Sequence, residues 1–379
     1  VSGASPLWQF SLHAAQALLW LAALAAVFWL GLRVSWTRLI GFTAFLTLDL
    51  IMFGAFVRLS DSGLGCPDWP GCYAQAAPLF AKGEIAAAVA LQGGEQGWVS
   101  HTKAWIEMIH RYWASFIGVL IIVILVRAIR ARRSGEPVSL ALPWLLLATV
   151  LVQGLFGKWT VTFKLMPAVV TLHLLLGLTL FAQLVWLALR QTYRIDRVAV
   201  PPALHWHAVA ALAVLALQIA LGGWVSTNYA ALACGDGFPA CLGSAWPPMD
   251  FANGFDLTRD MGRVDSGATI SLQALTAVHY VHRAFALVVL LVLGALAWRV
   301  ARRPALRRWG AALGAALLAQ LAIGIGTVVF QQPLLLAVAH NGAAAVLLGV
   351  LVALTYKIRP LPQLRAAPAW NASHRSQTS

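Results

Sequence analysis

The stretch WIEMIHR, Trp105–Arg111, opens an apolar run and carries a carboxylate, Glu107, and an imidazole, His110, three residues apart. At helical spacing the two side chains share a face. A second version, VHYVHR at Val278–Arg283, holds His279 and His282 at the same separation. Each is followed about sixty residues later by another histidine in an apolar run, His173 in TLH and His340 in AHN. Two repeats, each with a pair of intramembrane histidines, form the pattern from which the rest follows.

The chain has 379 residues, of which 60% are hydrophobic and only 11% charged; mean hydropathy is +0.77. A water-soluble chain cannot hide so much apolar surface, so an all-α polytopic membrane protein is expected. The net charge of +14 invites a nucleic-acid partner. The basic residues instead lie in short clusters between apolar segments, which is the positive-inside pattern, and no nucleic acid is expected.

Nine spans are legible: 14–32, 38–58, 105–127, 140–163, 168–190, 204–226, 274–299, 306–330 and 334–356. Each approaches the roughly 20 residues that cross the hydrocarbon core. Arg33 and Arg38 follow span one, and Arg127, Arg130, Arg132 and Arg133 follow span three. Arg190, Arg194 and Arg197 follow span five, and Arg299, Arg302, Arg303, Arg307 and Arg308 follow span seven. Lys357, Arg359 and Arg365 follow span nine. These junctions alternate strictly, so they are expected to face the cytoplasm, with the N-terminus outside. No basic region precedes the first apolar segment, so no cleavable signal peptide is expected. The segment 359–379 reads as a polar, disordered cytoplasmic tail.

The two outer loops 59–104 and 227–273 are long and rich in Gly and Pro, whereas those near Lys164–Pro167 and Gln331–Pro333 are short. A long–short–long–short order indicates duplication. Gly54-Ala55-Phe56-Val57 matches Gly222-Gly223-Trp224-Val225, Cys66 matches Cys234 at the same distance, and Cys72 matches Cys241 after one insertion. His110-Arg111 matches His282-Arg283, Gln153 and Gly157 match Gln320 and Gly324, and His173 matches His340. Two parallel, pseudo-symmetric four-helix repeats are therefore expected, 38–199 and 200–358, with span one in residues 1–37 as an addition.

His110 and His173 lie about five residues into spans that run in the same direction, roughly 8 Å below the outer surface at ~1.5 Å per residue. His282 and His340 lie at similar depths in theirs. Each repeat thus brings two imidazoles to one level, the axial ligand set of a six-coordinate haem. A single intramembrane histidine is as often a core hydrogen-bonding residue or a proton relay; four, paired at matching depth, favour haem. His13, His101, His205, His207 and His374 sit at interfaces or in loops and read as structural, and His279 is intermediate. Arg111 and Arg283 follow the ligands and are candidate propionate contacts, since guanidinium binds carboxylates well; a helix-packing role stays open beside this one. Glu107, whose counterpart in the second repeat is His279, is the asymmetric element. A carboxylate in apolar surroundings suits acid–base work, and a salt bridge to Arg111 or Lys103 is the structural alternative.

The four cysteines, Cys66, Cys72, Cys234 and Cys241, form two close pairs in the outer loops. They fit neither a zinc site nor a c-type haem attachment motif. On the oxidising side disulfides Cys66–Cys72 and Cys234–Cys241 are expected, either bracing the loops or redox-labile.

GAFVRLSDSGLGCPDWPGC (Gly54–Cys72), EMIHRYWAS (Glu107–Ser115), TLH, VHYVHR and AHNG together resemble the haem A synthase family, in its proteobacterial and mitochondrial branch, over about residues 38–356. The resemblance implies oxidation of the C8 methyl of haem O to a formyl group by successive hydroxylations, giving haem A for terminal oxidases. It implies that Glu107 stands at the catalytic glutamate position and that His110 and His173 flank the iron of the substrate haem O. It implies a haem b cofactor ligated by His282 and His340, and disulfides in both cysteine loops. Membrane lipid, haem O synthase, cytochrome oxidase assembly factors and an unidentified electron acceptor are the implied partners, in a bacterial inner membrane. Span one is extra to the eight helices usual in that family. The competing readings are a two-haem cytochrome b electron carrier and a haem transporter or chaperone; a carboxylate in only one repeat favours chemistry over carriage. Fusion reporters at Arg132 and Asp250 test the orientation: the first is expected to report cytoplasm and the second exterior, and the reverse at either position would invert the topology.

Overall fold

A computed structural model describes residues 6–191, 197–235, 237–263, 267 and 269–360, with side chains from residue 14 onward. Arg194, Arg365, His374, the side chain of His13 and the tail from 361 lie outside these residues. Among the described residues nine helices are long and apolar enough to cross a membrane, so the chain is a multi-pass membrane protein. They are α1 (Pro6–Arg33), α2 (Trp36–Leu59), α4 (His101–Arg133), α5 (Ala141–Thr162), α6 (Pro167–Gln191), α7 (Pro202–Thr227), α9 (Leu272–Ala301), α10 (Arg307–Val329) and α11 (Leu334–Lys357). Two shorter helices, α3 (Lys82–Leu91) and α8 (Phe251–Gly254), lie in the two long loops that carry the cysteines.

Seven of the nine helices overrun the expected spans, whereas α5 and α10 end inside theirs. Hydropathy reads only the lipid-crossing part, whereas α4 has 33 residues and continues to its basic last turn. Its start is fixed by Ser100, whose hydroxyl accepts from the Lys103 N–H at 3.1 Å. Ser271 does the same for α9, accepting from Ala274 N–H at 3.2 Å. Each cap satisfies one of the orphan donors of a first turn. Arg359 and Pro360 belong to strand β2 (Ile358–Pro360), which pairs in parallel with β1 (Val198–Val200) and ties the end of α11 to the start of α7.

Packing follows the duplication. α2, α4, α5 and α6 pack in one repeat and α7, α9, α10 and α11 in the other, in the same neighbour order. The halves meet where α2 lies on α11 and, equivalently, α7 lies on α6. Lipid tails are as apolar as leucine, so close packing and polar cross-links hold such helices together. Small residues let the backbones approach. A Cβ on Gly223 would stand 3.1 Å from a Leu174 methyl, and one on Gly342 would stand 2.8 Å from the Met52 sulfur. Beside the first contact the hydroxyls of Thr171 and Thr227 lie 3.3 Å apart. At the end that carries the cysteine loops Arg58 donates to the Ser226 carbonyl at 2.8 Å, and Tyr229 donates to Asp61 at 2.7 Å. The short outer turns match as well. Each bends through two consecutive left-handed residues, Lys164 and Leu165 in one, Gln331 and Gln332 in the other.

Both expected disulfides are formed, Cys66–Cys72 and Cys234–Cys241, and all four cysteines are buried. Proteolysis and mass spectrometry without reduction should recover each loop as one cross-linked species. Free thiols in oxidised protein would contradict the pairing.

Candidate functional site

A cavity of about 890 Å³ lies chiefly within the first repeat, within the range of small-molecule and cofactor sites. Glu107, His110, Gln153 and His173 line it from the first repeat, and Gly222 and Asn341 enter from the second. His110 is the tenth residue of α4 and His173 the seventh of α6, so both sit deeper along their helices than the shorter spans imply. Both line this cavity, and His282 and His340 hold the matching places on α9 and α11. Among the described residues no three His, Cys, Asp or Glu side chains gather into a metal cluster; these histidines come in twos.

Each imidazole lies on a glycine of a neighbouring helix. A Cβ on Gly54 would stand 3.0 Å from His110 Cε1, on Gly157 3.2 Å from His173, on Gly222 2.9 Å from His282 and on Gly324 2.7 Å from His340. The glycines matched in the sequence thus clear the space the rings occupy. His110 Nδ1 and His173 Nδ1 are buried without a hydrogen-bond partner. An unpartnered buried nitrogen is costly unless a ligand or metal meets the ring. Two imidazoles lining one chamber of this size, each on a glycine, fit a haem. Gly222 both lines the cavity and touches His282, so the two histidine sites adjoin.

Glu107 is 4% exposed. Its Oε2 accepts from the Cys66 backbone N–H at 2.9 Å, and its Oε1 accepts from Arg111 Nη2. Of the two cations that the sequence leaves open, Arg111 is the partner; Lys103 donates instead to the Gly97 carbonyl at 2.8 Å. Arg111 also donates to the Asp68 carbonyl at 2.8 Å and to Pro70 and Gly71. Carboxylate, guanidinium and disulfide loop form one unit. In the second repeat Arg283 donates to His279 Nε2 at 3.1 Å and to the loop carbonyls of Gly237 at 3.0 Å and Ala240 at 3.2 Å. Both arginines therefore brace the loops, and Arg283 keeps a buried, unpartnered Nη2.

The structure gives a place to Gln153 and Gln320, which the sequence matched without a role, and adds Gln218, which sequence reasoning passed over. Gln218 contacts His282 Nδ1 at 3.2 Å, Gln320 lies 3.3 Å from both ring nitrogens of His340, and Gln153 lies 3.4 Å from His173 Nε2. The recurrent Gln-x-x-x-Gly spacing was the available signal. Helix α1 also lines the cavity, through Gln16, Ala17 and Trp20. Gln16 accepts from Ala76 N–H at 3.0 Å, and the Trp20 ring lies 4.7 Å from that of Tyr112. No sequence signal marks that role.

Gly65 is what lets the loop reach Glu107. A Cβ there would stand 2.7 Å from the backbone of Lys103 and Ala104, and backbone cannot yield as a flexible side chain can. Gly65→Val is expected to lift the loop from α4 and deprive the carboxylate of its Cys66 donor. Leaving such a buried acceptor unmet costs about 1–3 kcal/mol. Thermal unfolding in detergent checks this, and a melting temperature equal to the parent's would refute it.

Residues 37–352 match the family described as cytochrome oxidase assembly protein. A haem A synthase of Shewanella oneidensis is 37% identical over 324 residues, covering 84% of this chain and 96% of that one. A haem A synthase of Rhodospirillum centenum is 30% identical over 333 residues, covering 82% and 85%. One of Caulobacter vibrioides is 27% identical over 348 residues, covering 83% and 94%. Both histidine pairs, Glu107 and both cysteine loops fall inside the matched span, and the chain belongs to the cytochrome oxidase assembly protein family.

Proposed function

We propose that this chain is a haem A synthase that oxidises the C8 methyl of haem O to a formyl group by successive hydroxylations. The relatives named for that activity support it. The observation that carries it is the asymmetry of the repeats: a buried carboxylate lines the first cavity, and the equivalent place in the second repeat holds His279. A buried carboxylate in one repeat alone favours chemistry at that site over electron carriage.

In this reading the substrate haem O sits in the first repeat, 38–199, with His110 and His173 on its iron. The second repeat, 200–358, holds haem b between His282 and His340. A bound haem b supplies one-electron redox capacity beside the substrate chamber. The chain's own residues supply position and proton handling. Histidines and glycines set the substrate's plane, and α1 and the disulfide loop wall it from lipid and water. Glu107, one turn from His110, takes or relays the proton lost as the methyl is oxidised. Its contacts to Cys66 N–H and Arg111 hold the carboxylate in one orientation. Arg111 and Arg283 stay the candidate propionate contacts, Arg283 through its unpartnered Nη2. We place the protein in the bacterial inner membrane, with the N-terminus and both cysteine loops periplasmic and the C-terminus cytoplasmic. A haem O synthase supplies its substrate, oxidase assembly factors take its product, and an acceptor outside this chain removes the electrons.

Glu107→Gln tests the chemistry in cells co-expressing a haem O synthase. The amide keeps the shape and cannot take the proton. Haem A per bound haem, measured by chromatography of extracted pigment, should fall by about 100-fold or more. Near-normal haem A per bound haem would remove Glu107 from the reaction. A parallel fall in total haem would make the carboxylate a structural anion for Arg111 and the loop.

A further inference from the structure

Three of the four histidines share a device that the fourth lacks. Gln153, Gln218 and Gln320 each stand one helical turn before the glycine on which an imidazole rests, and each amide lies 3.2–3.4 Å from a ring nitrogen. Residues four apart share a helix face, so the pairing of glutamine and glycine follows from the helix alone. The fourth glycine is Gly54, beneath His110. One turn before it stands Leu50, which lines the cavity. No glutamine lies against the His110 ring, and its Nδ1 is buried without a partner; His173 Nδ1 is unpartnered too, its glutamine lying at Nε2.

A neighbour that hydrogen-bonds the far nitrogen of a ligating imidazole fixes its orientation and raises its basicity, and its loss typically weakens metal binding 10–100-fold. The Oε1 atoms of Gln153, Gln218 and Gln320 are buried and unpartnered. A half-turn of each amide presents that acceptor to a ring N–H. The second repeat thus has two supported imidazoles, and the first has one.

We propose that Leu50 makes His110 the releasable ligand, so that the haem of the first repeat exchanges while that of the second is retained. This rests on the assignment of the histidines to haem iron given above. It adds what separates a substrate site from a cofactor site in a duplicated fold: a single amide, missing at position 50. A substrate must leave after each turnover, and a resident cofactor must not.

The test reads haem loss rather than activity. Full-length chain carrying His282→Ala is loaded with haem B, leaving the first site, and loss to excess apomyoglobin is followed by absorbance. Adding Leu50→Gln should slow that loss about tenfold or more. In a His110→Ala chain, which leaves the second site, Gln218→Leu should speed loss by a similar factor. Less than a threefold change in either pair, on protein whose helix content and disulfides are intact, would overturn the inference while leaving the proposed reaction standing. Failure of both loaded chains to take up haem would overturn the ligand assignment and this inference with it. Haem binding without any haem A formation by the parent chain would overturn the reaction alone.

Discussion

A carboxylate buried in a membrane protein must be met by donors, because an uncompensated charge there costs several kcal/mol. Glu107 is met by the Cys66 N–H and the Arg111 guanidinium, and most of the outer architecture exists to bring those donors to it. Cys66 reaches α4 because Gly65 has no side chain. The loop keeps its shape because Cys72 closes it and Asp68 accepts from the N–H groups of Tyr73 and Ala74, both at 2.6 Å. Arg111 is held by carbonyls of the same loop. The anion, its cation and a covalent loop are therefore one cooperative unit. Low dielectric strengthens such a network when every member is satisfied and penalises it heavily when one is missing.

Duplication supplied the frame, and divergence at a few positions supplied the difference between its halves. The helix order, the caps at Ser100 and Ser271, the glycine cradles and the disulfide loops are common to both repeats. Glu107 against His279 and Leu50 against Gln218 are not. Both exchanges lie within one turn of an imidazole or of the glycine beneath it. They change proton chemistry and ligand support without touching the interhelical contacts that keep the fold.

Much of this was legible in the sequence, for a physical reason. Backbone groups cannot go unpaired in lipid, so each crossing must be a long apolar helix, and the nine runs stand out. The histidines stand out because ionisable residues are rare in such runs. The partner of Glu107 was not legible, since Lys103 and Arg111 lie four residues to either side of it. The fold chooses Arg111 by drawing Lys103 to the Gly97 carbonyl. Helix α3 was hidden by its alanines, which favour helix without an apolar stripe; Ile85 is its one buried residue. Gln218 was missed because matching repeats by identity finds what they share. Its counterpart is Leu50, so the comparison passed over the position where the halves part.

Helix α1 packs chiefly along α4 and lies before the matched span 37–352, yet Gln16 and Trp20 complete a wall of the first chamber. A chain trimmed to the matched span would retain the four ligand histidines, Glu107 and both disulfides. The Tyr112 face of its chamber would then lie open to acyl chains. In this protein the boundary of shared ancestry and the boundary of the enclosed volume fall at different residues.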